Sequence, residues 1–473
     1  MRLKFSNVGI IKEADILVDG LTVLAGVNDT GKSTIGKLLY SLIKVSNNYK
    51  KVLQSNQKTL LIDMINELSR KAKAMTESGF RMSLEDERYL EFVPDEMELK
   101  EEMEKEYQEN QVSEFRKFIE YIDSVSLKTK KNIIKSMDGE SSLKWSSVVS
   151  IIKEYLEKID LNDKDIRDTY VKNTEQILRI RETSFEVQKA AIDLMIKEEF
   201  VGQINHAGRN KPAKISLSEN DNTFIEIELI DDEADKIQSL KSTFVGDITY
   251  IESPLQLREN GWKDKKNGNG KGRVYLKNHV DDLMDKLLES DEIEENIISE
   301  IERNKKVKTF EKMIFEIIGG EFSYKAGKRN FVYSKDGNEF RLNNTATGIR
   351  AFAMIKLLLN SGNLKGKSIL IIDEPEVHLH PQWQMDYAEL IVRMVKELGI
   401  KILVNSHSPY MIEAFKVFSD HYGISDTANF YIIKKEGKFT EAKQANEDIG
   451  KIFQELSEPF SKLDKIKVKD FVK

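Results

Sequence analysis

Gly26-Val27-Asn28-Asp29-Thr30-Gly31-Lys32-Ser33 follows an almost wholly apolar run, Leu21 to Ala25, and precedes Thr34 and an amphipathic stretch. The octet satisfies the Gly-x-x-x-x-Gly-Lys-Ser pattern of a phosphate-binding loop, and it stands between a strand and a helix as that pattern requires. The run before it predicts a buried strand. After it, Ile35, Leu38, Leu39, Leu42 and Ile43 recur at helical spacing and predict one apolar helix face. Glycines allow the backbone to wrap phosphates with its N–H groups turned inward, and the helix start adds a field that favours anions. The expected ligand is ATP with Mg²⁺. Gly26, Asn28, Asp29, Thr30, Gly31, Lys32, Ser33 and Thr34 would contact the nucleotide, Lys32 would bridge the β- and γ-phosphates, and the Ser33 hydroxyl would ligate the metal.

Such a loop needs an acidic partner on a neighbouring strand. Ser368-Ile369-Leu370-Ile371-Ile372-Asp373-Glu374-Pro375 supplies one. Asp373 falls at the carboxyl end of a buried strand, where open α/β sheets bind ligands, and is read as a second metal ligand. Glu374 beside it is placed to polarise the attacking water as general base. Farther on, Trp383, Tyr387, Leu390, Ile391, Met394, Val395 and Leu398 mark a helix that stops at Gly399. Ile400 to Val404 then forms another strand, ending in Asn405-Ser406-His407-Ser408-Pro409. His407 is thereby expected near the γ-phosphate, as a donor to one of its oxygens.

The remainder of the 473 residues sets the context. That length predicts about two or three lobes. No run of about 18 apolar residues is present to span a bilayer, and Met1 to Asn7 reads as an alternating strand rather than a signal segment. A cytoplasmic protein without a membrane partner is expected. Zero cysteines exclude disulfides, thiolate metal sites and thiol catalysis. With a net charge of -7, binding of DNA or RNA would need a local basic patch. The glycine-rich segment Lys263 to Arg273 offers basic residues that could touch phosphate, though a solvated linker is the preferred reading.

Along the chain, residues 1–45 carry the first strands and the phosphate loop. Residues 46–202, with one proline and Glu/Lys-rich helical text, predict a compact α-helical insertion. Residues 203–262 return to strands, with a hairpin around Asn220-Asp221-Asn222 and a core strand at Asp247 to Ile251. Residues 263–342 read as a loop, helices and a short β-meander. Residues 343–473 hold the second chemical region and the C-terminal tail.

Two strings carry a resemblance. Gly26 to Ser33 follows Gly-x-Asn-x-x-Gly-Lys-Ser, and Asp373 to Pro381 reads Asp-Glu-Pro-Glu-Val-His-Leu-His-Pro. Together they resemble the ABC-type ATPase heads of the SMC, RecF and OLD class. The resemblance implies an α/β ABC ATPase head, a P-loop sheet with helices plus an antiparallel β-subdomain, interrupted here by the helical insertion. It makes Asp373 the Walker B residue, Glu374 the catalytic glutamate, His407 the switch histidine and Glu376 to His380 the D-loop. Asn344 to Arg350 stands where the class has its signature loop, with Thr347 and Gly348 facing a partner's ATP. Ala346 replaces the usual serine there. Gln256 is the counterpart of the Q-loop glutamine, a magnesium and water contact.

In that class each ATP is held between two heads, so a homodimer or larger assembly is implied. The resemblance extends to the ATPases of bacterial antiphage systems of the Septu or PARIS type. It implies sensing of nucleic acid or phage components and control of a separate nuclease-like effector, since residues 408–473 are short for a nuclease domain. A RecF-like DNA repair ATPase shares the same core. A scaffold that binds ATP with little turnover is the third reading, supported by Ala346. His378 and His380, with Glu376 nearby, suggest a metal site, but a metal reading is set aside for want of further ligands.

Overall fold

The computed structural model describes residues 1–51, 53, 184–205, 211–254, 276–287, 297–325, 330–341 and 344–456. Most of the expected insertion 46–202, the loop 263–273 and Gln256 lie outside them. The chain divides into one unit of Met1–Tyr49, Gln188–Asn269 and Tyr275–Lys473, and another of Lys50–Val187 and Gly270–Val274. The first unit carries the strands and both chemical regions.

Its strands are β1 (Arg2–Val8), β2 (Ile11–Leu17), β3 (Leu21–Ala25), β4 (Ala213–Glu219), β5 (Asn222–Ile230), β6 (Glu233–Leu240), β7 (Ile248–Ile251), β8 (Glu321–Lys325), β9 (Asn330–Lys335), β10 (Asn338–Arg341), β11 (Ile369–Asp373), β12 (Lys401–Ser406), β13 (Ala428–Glu436) and β14 (Phe439–Gln444). Eleven form one sheet in the order β6-β5-β4-β1-β2-β14-β13-β3-β12-β11-β7. Two textures meet in it. From β13 to β7 neighbouring strands are parallel, whereas β2, β1, β4, β5 and β6 pair antiparallel. The physical difference is legible in burial. All five residues of β3 and of β11 are buried, as a parallel sheet covered on both faces demands, while β1 alternates between exposed and buried.

The helices follow from spacing and caps. Helix α1 covers 32–51; α2 is Phe185–Phe200, α3 His279–Lys286, α4 Ile297–Ile318, α5 Thr347–Asn360, α6 Pro381–Leu398, α7 Pro409–Tyr422 and α8 Gly450–Leu456. Helix α5 is apolar nearly all round, and every residue from Ala351 to Leu359 is buried. Helix α7 begins with Ser408 as N-cap, Pro409 next and Gly423 in the left-handed region after its last turn, at φ 70°. Those three residues start and stop the helix for independent reasons: a side-chain acceptor, a fixed φ and a missing Cβ.

Two differences from the sequence reading have a clear cause. Strand β6 (Glu-Ala-Asp-Lys-Ile-Gln-Ser-Leu) forms a sheet edge, where one side needs no partner and little apolar patterning is required. The C-terminal stretch, read only as a tail, contributes β13 directly beside β3. Nothing in the local spacing of residues 428–436 indicates which strand they join.

Candidate nucleotide site

The sheet register brings the two chemical strings to one end. Leu24 of β3 pairs with Asn405 of β12, which pairs with Asp373 of β11. Ser406 pairs with Ala25, so His407 follows at the same level as Gly26. On the other side of β3, Ile432 of β13 pairs with Ala25. The loop thus leaves the sheet between two parallel neighbours. A Cβ at Gly26 would lie 2.6 Å from the Ile433 carbonyl, and Gly31 turns at φ +91°, so both glycines are required by the fold itself.

Helix α1 reaches the acidic strand at Gly36. A Cβ there would come within 3.2 Å of Ile371 Cγ2 and 3.4 Å of both Asn405 Nδ2 and the Tyr250 hydroxyl. Those two polar groups hold Asp373. The Tyr250 hydroxyl donates to its Oδ2 at 2.8 Å, and Asn405 Nδ2 donates to its Oδ1 at 3.0 Å. Tyr250 and Asn405 were not expected from the sequence. The signal available for Asn405 was its place in a strand-end string; for Tyr250, separated from Asp373 by 123 positions, there was none. Burial raises the Tyr250 pKa well above its usual value, with the Asp373 charge adding to the effect, so its proton stays available for donation.

Lys32 is 4% exposed, and its Nζ donates to the carbonyls of Gly26 (2.9 Å) and Val27 (3.0 Å). Burial lowers its pKa, opposed by the charges of Glu374, Asp373 and Glu376. The Thr30 hydroxyl also donates to Val27 O, at 2.9 Å, closing the loop on itself. Asp29, at φ 58°, pairs at the surface with Lys435 of β13 at 2.8 Å.

Glu374 adopts φ 45°, a conformation an L-residue with a long side chain seldom takes, and its N–H donates to Asn405 O at 2.9 Å. Its Oε1 lies 3.6 Å from His407 Nδ1. Glu376 has a different part. Its buried Oε1 accepts from the Ser406 hydroxyl (2.9 Å), the His407 N–H (2.6 Å) and the Ser408 N–H (3.1 Å). One carboxylate oxygen therefore shapes the whole turn that presents His407. His407 Nδ1 is also 3.1 Å from that oxygen, without the angle of a hydrogen bond. Glu376→Ala should lower unfolding stability by about 3 kcal/mol, because three donors lose a charged acceptor in the interior. Denaturant titration checks this, and a loss below about 1 kcal/mol would mean the turn is held by other contacts.

The donor set fits a magnesium nucleotide. The loop glycines leave room only for backbone; a buried ammonium faces neutral carbonyls; and Asn405 Oδ1, Glu376 Oε2 and His407 Nδ1 are buried without hydrogen-bond partners. Lys32 and the loop N–H groups would hold phosphate, with Ser33 and Asp373 on the metal.

The expected signature segment is more mixed. Thr345 is buried and its hydroxyl donates to Arg341 O at 3.1 Å, leaving half-buried Thr347 as the better-placed hydroxyl. Ala346 is the N-cap of α5, with no side-chain cap. A Cβ at Gly348 would meet the Trp383 ring at 2.8 Å, so packing within this chain already demands glycine there. His380 Nδ1 accepts from the Gln382 N–H at 3.3 Å as the N-cap of α6. Among the described residues, no helix is long and apolar enough to cross a membrane.

A parallel P-loop sheet, an antiparallel lobe beside it and an Asp-Glu pair one strand away from the loop strand define an ABC-type ATPase head. The family described as an AAA ATPase domain, AAA_15, matches residues 1–412, and the chain belongs to it. It is 32% identical over 77 residues to the Septu protein PtuA of Bacillus thuringiensis, a match covering 15% of this chain and 19% of that protein. Among solved structures, the SMC head domain from Thermotoga maritima is similar at 10% identity and TM-score 0.36, covering 94% of this chain and 97% of that one. An Smc head domain with an extended coiled coil from Pyrococcus furiosus gives 12% identity and TM-score 0.32, covering 97% and 99%.

Proposed function

We propose that this chain hydrolyses ATP with Mg²⁺ at a site shared between two copies, and that it senses nucleic acid or phage components to control a separate, nuclease-like effector. What carries the catalytic part is Asp373, gripped through both oxygens and in strand register with the phosphate-loop strand, with Glu374 next to it. Magnesium supplies charge neutralisation at the transferring phosphoryl group. Lys32 orients phosphate oxygens, Glu374 accepts the proton of the attacking water, and His407 donates to the oxygen that gains charge. The short match to PtuA supports the defence role.

The shared site is tested by mass. The Glu374→Gln variant with ATP and Mg²⁺ should sediment as a dimer or larger species, and adding Thr347→Arg should return it to monomer while nucleotide still binds. A variant that remains monomeric with saturating ATP would sink the shared-site reading. Gly348 is a poor probe, because its substitution also strikes Trp383. The effector is tested by the neighbouring reading frame: a nuclease there supports defence, and replication genes there favour RecF-like repair. Ala346, which leaves the α5 N-terminus without a side-chain acceptor, favours one further reading, a scaffold that binds ATP but turns it over slowly.

A further inference from the structure

A buried cluster outside the nucleotide-facing groups is centred on His279, the first residue of α3 and 4% exposed. Its Nδ1 lies 2.5 Å from Glu199 Oε1 on α2, and its backbone N–H donates to Glu199 Oε2 at 3.1 Å. Its Nε2 faces Glu252 Oε2 at 3.2 Å, just past β7. Glu252 in turn pairs with Lys37 of α1 at 3.1 Å. The imidazole lies 4.6 Å from the Tyr250 ring at 31°, and the Tyr40 ring of α1 abuts both, at 6.2 Å and 6.5 Å.

Burial disfavours a charged ring here, yet the hydrogen bonds of Glu199 and Glu252 outweigh it and push the His279 pKa up to about 8. The hydrogen bond with His279 draws Glu252 down to about 2 against its own burial. Only an imidazolium donates from both nitrogens. A ring held at both ends by carboxylates on different elements has no free rotamer, so it makes a fixed wall for whatever packs on it.

We infer that His279 is a positioning residue for the magnesium carboxylate: clamped between Glu199 and Glu252, it sets the Tyr250 ring and thereby the hydroxyl that grips Asp373. The same clamp joins the two helices that flank residues 54–183. Helix α1, which carries Lys37 and Tyr40, precedes those residues in the chain, and α2, which carries Glu199, follows them. This inference rests on the reading of Asp373 as a metal ligand.

Metal binding tests it without turnover. Mn²⁺ is titrated into the full chain with saturating ATPγS and followed by electron paramagnetic resonance, while nucleotide affinity is measured separately in EDTA. His279→Gln should weaken Mn²⁺ binding about tenfold, as loss of an outer-shell partner does, with metal-free nucleotide affinity unchanged. A general packing defect would not produce that split. Tyr250→Phe should act to the same extent, and the double variant should bind Mn²⁺ no worse than the weaker single one, since both act through one hydroxyl. Glu252→Gln, at a half-exposed side chain, provides a variant that keeps its fold, and should shift Mn²⁺ affinity in the same direction. Unaltered Mn²⁺ affinity in folded His279→Gln or Glu252→Gln, or losses that multiply in the double variant, would overturn the inference alone. Wild-type protein that binds ATPγS but no Mn²⁺ would overturn both it and the site reading beneath it.

Discussion

Glu374→Gln should reduce steady-state ATP hydrolysis by about 10²- to 10⁴-fold, the span of a lost general base, and leave nucleotide binding intact. The substitution preserves side-chain length and removes only proton affinity. It adds no new backbone strain, because the left-handed φ of 45° is as costly for glutamine as for glutamate, and the N–H bond to Asn405 O does not involve the side chain. Asp373 keeps both of its donors. Phosphate release and fluorescent-nucleotide binding, measured on one preparation, separate the two effects. Turnover within a few-fold of wild type would place the base elsewhere. Glu376 would not be the replacement, since its Oε1 already accepts three hydrogen bonds and its position is buried. Loss of binding together with turnover would instead mean that Glu374 supports the loop.

The second large effect concerns Lys32→Met. A buried ammonium satisfied by two neutral carbonyls is costly to desolvate, and among the described residues no carboxylate comes within ion-pair distance of it. Methionine fills similar volume without charge. The nucleotide-free protein should therefore be as stable as wild type or more so. Its response to ATP should vanish, because the charge-assisted contacts to phosphate contribute about 1.5–3 kcal/mol each. Thermal unfolding with and without ATP and Mg²⁺ reads both sides at once. Wild type should gain roughly 2.7 kcal/mol at a ligand concentration of 100 Kd, and the variant nothing. If ATP still raised the melting temperature of Lys32→Met, or if the nucleotide-free variant were several degrees less stable, the assigned role of Lys32 would be wrong.

How much of the site was legible depended on contiguity. The phosphate loop and the Asp-Glu pair each sit inside one strand-loop unit, so apolar runs and spacing single out Lys32, Ser33, Asp373 and Glu374 as candidates without any knowledge of the fold. His407 was legible for the same reason, as the residue after a buried strand. Glu376 was visible inside the Asp-Glu-Pro-Glu string, yet its task was not: it grips Ser406, His407 and Ser408, which lie 30 to 32 positions farther along the chain. Tyr250 and His279 carried no local signal. A tyrosine in an apolar strand and a histidine at a helix start are ordinary residues until tertiary packing gives them partners. Gly348 shows the reverse: a glycine matched to a motif is also fixed by the Trp383 ring of its own chain.

By itself, then, the sequence determined the α/β character and the two strings that suggest phosphate chemistry, because those depend on hydrogen-bonding and burial patterns within about ten consecutive residues. Only the tertiary structure decided that β13 lies beside β3, that Tyr250 and Asn405 share the two oxygens of Asp373, and that Glu199 and Glu252 clamp His279. Strand neighbours are chosen by packing and loop closure across the whole chain. A side chain 80 positions from its partner, as His279 is from Glu199, meets it only when the elements between them have taken their places.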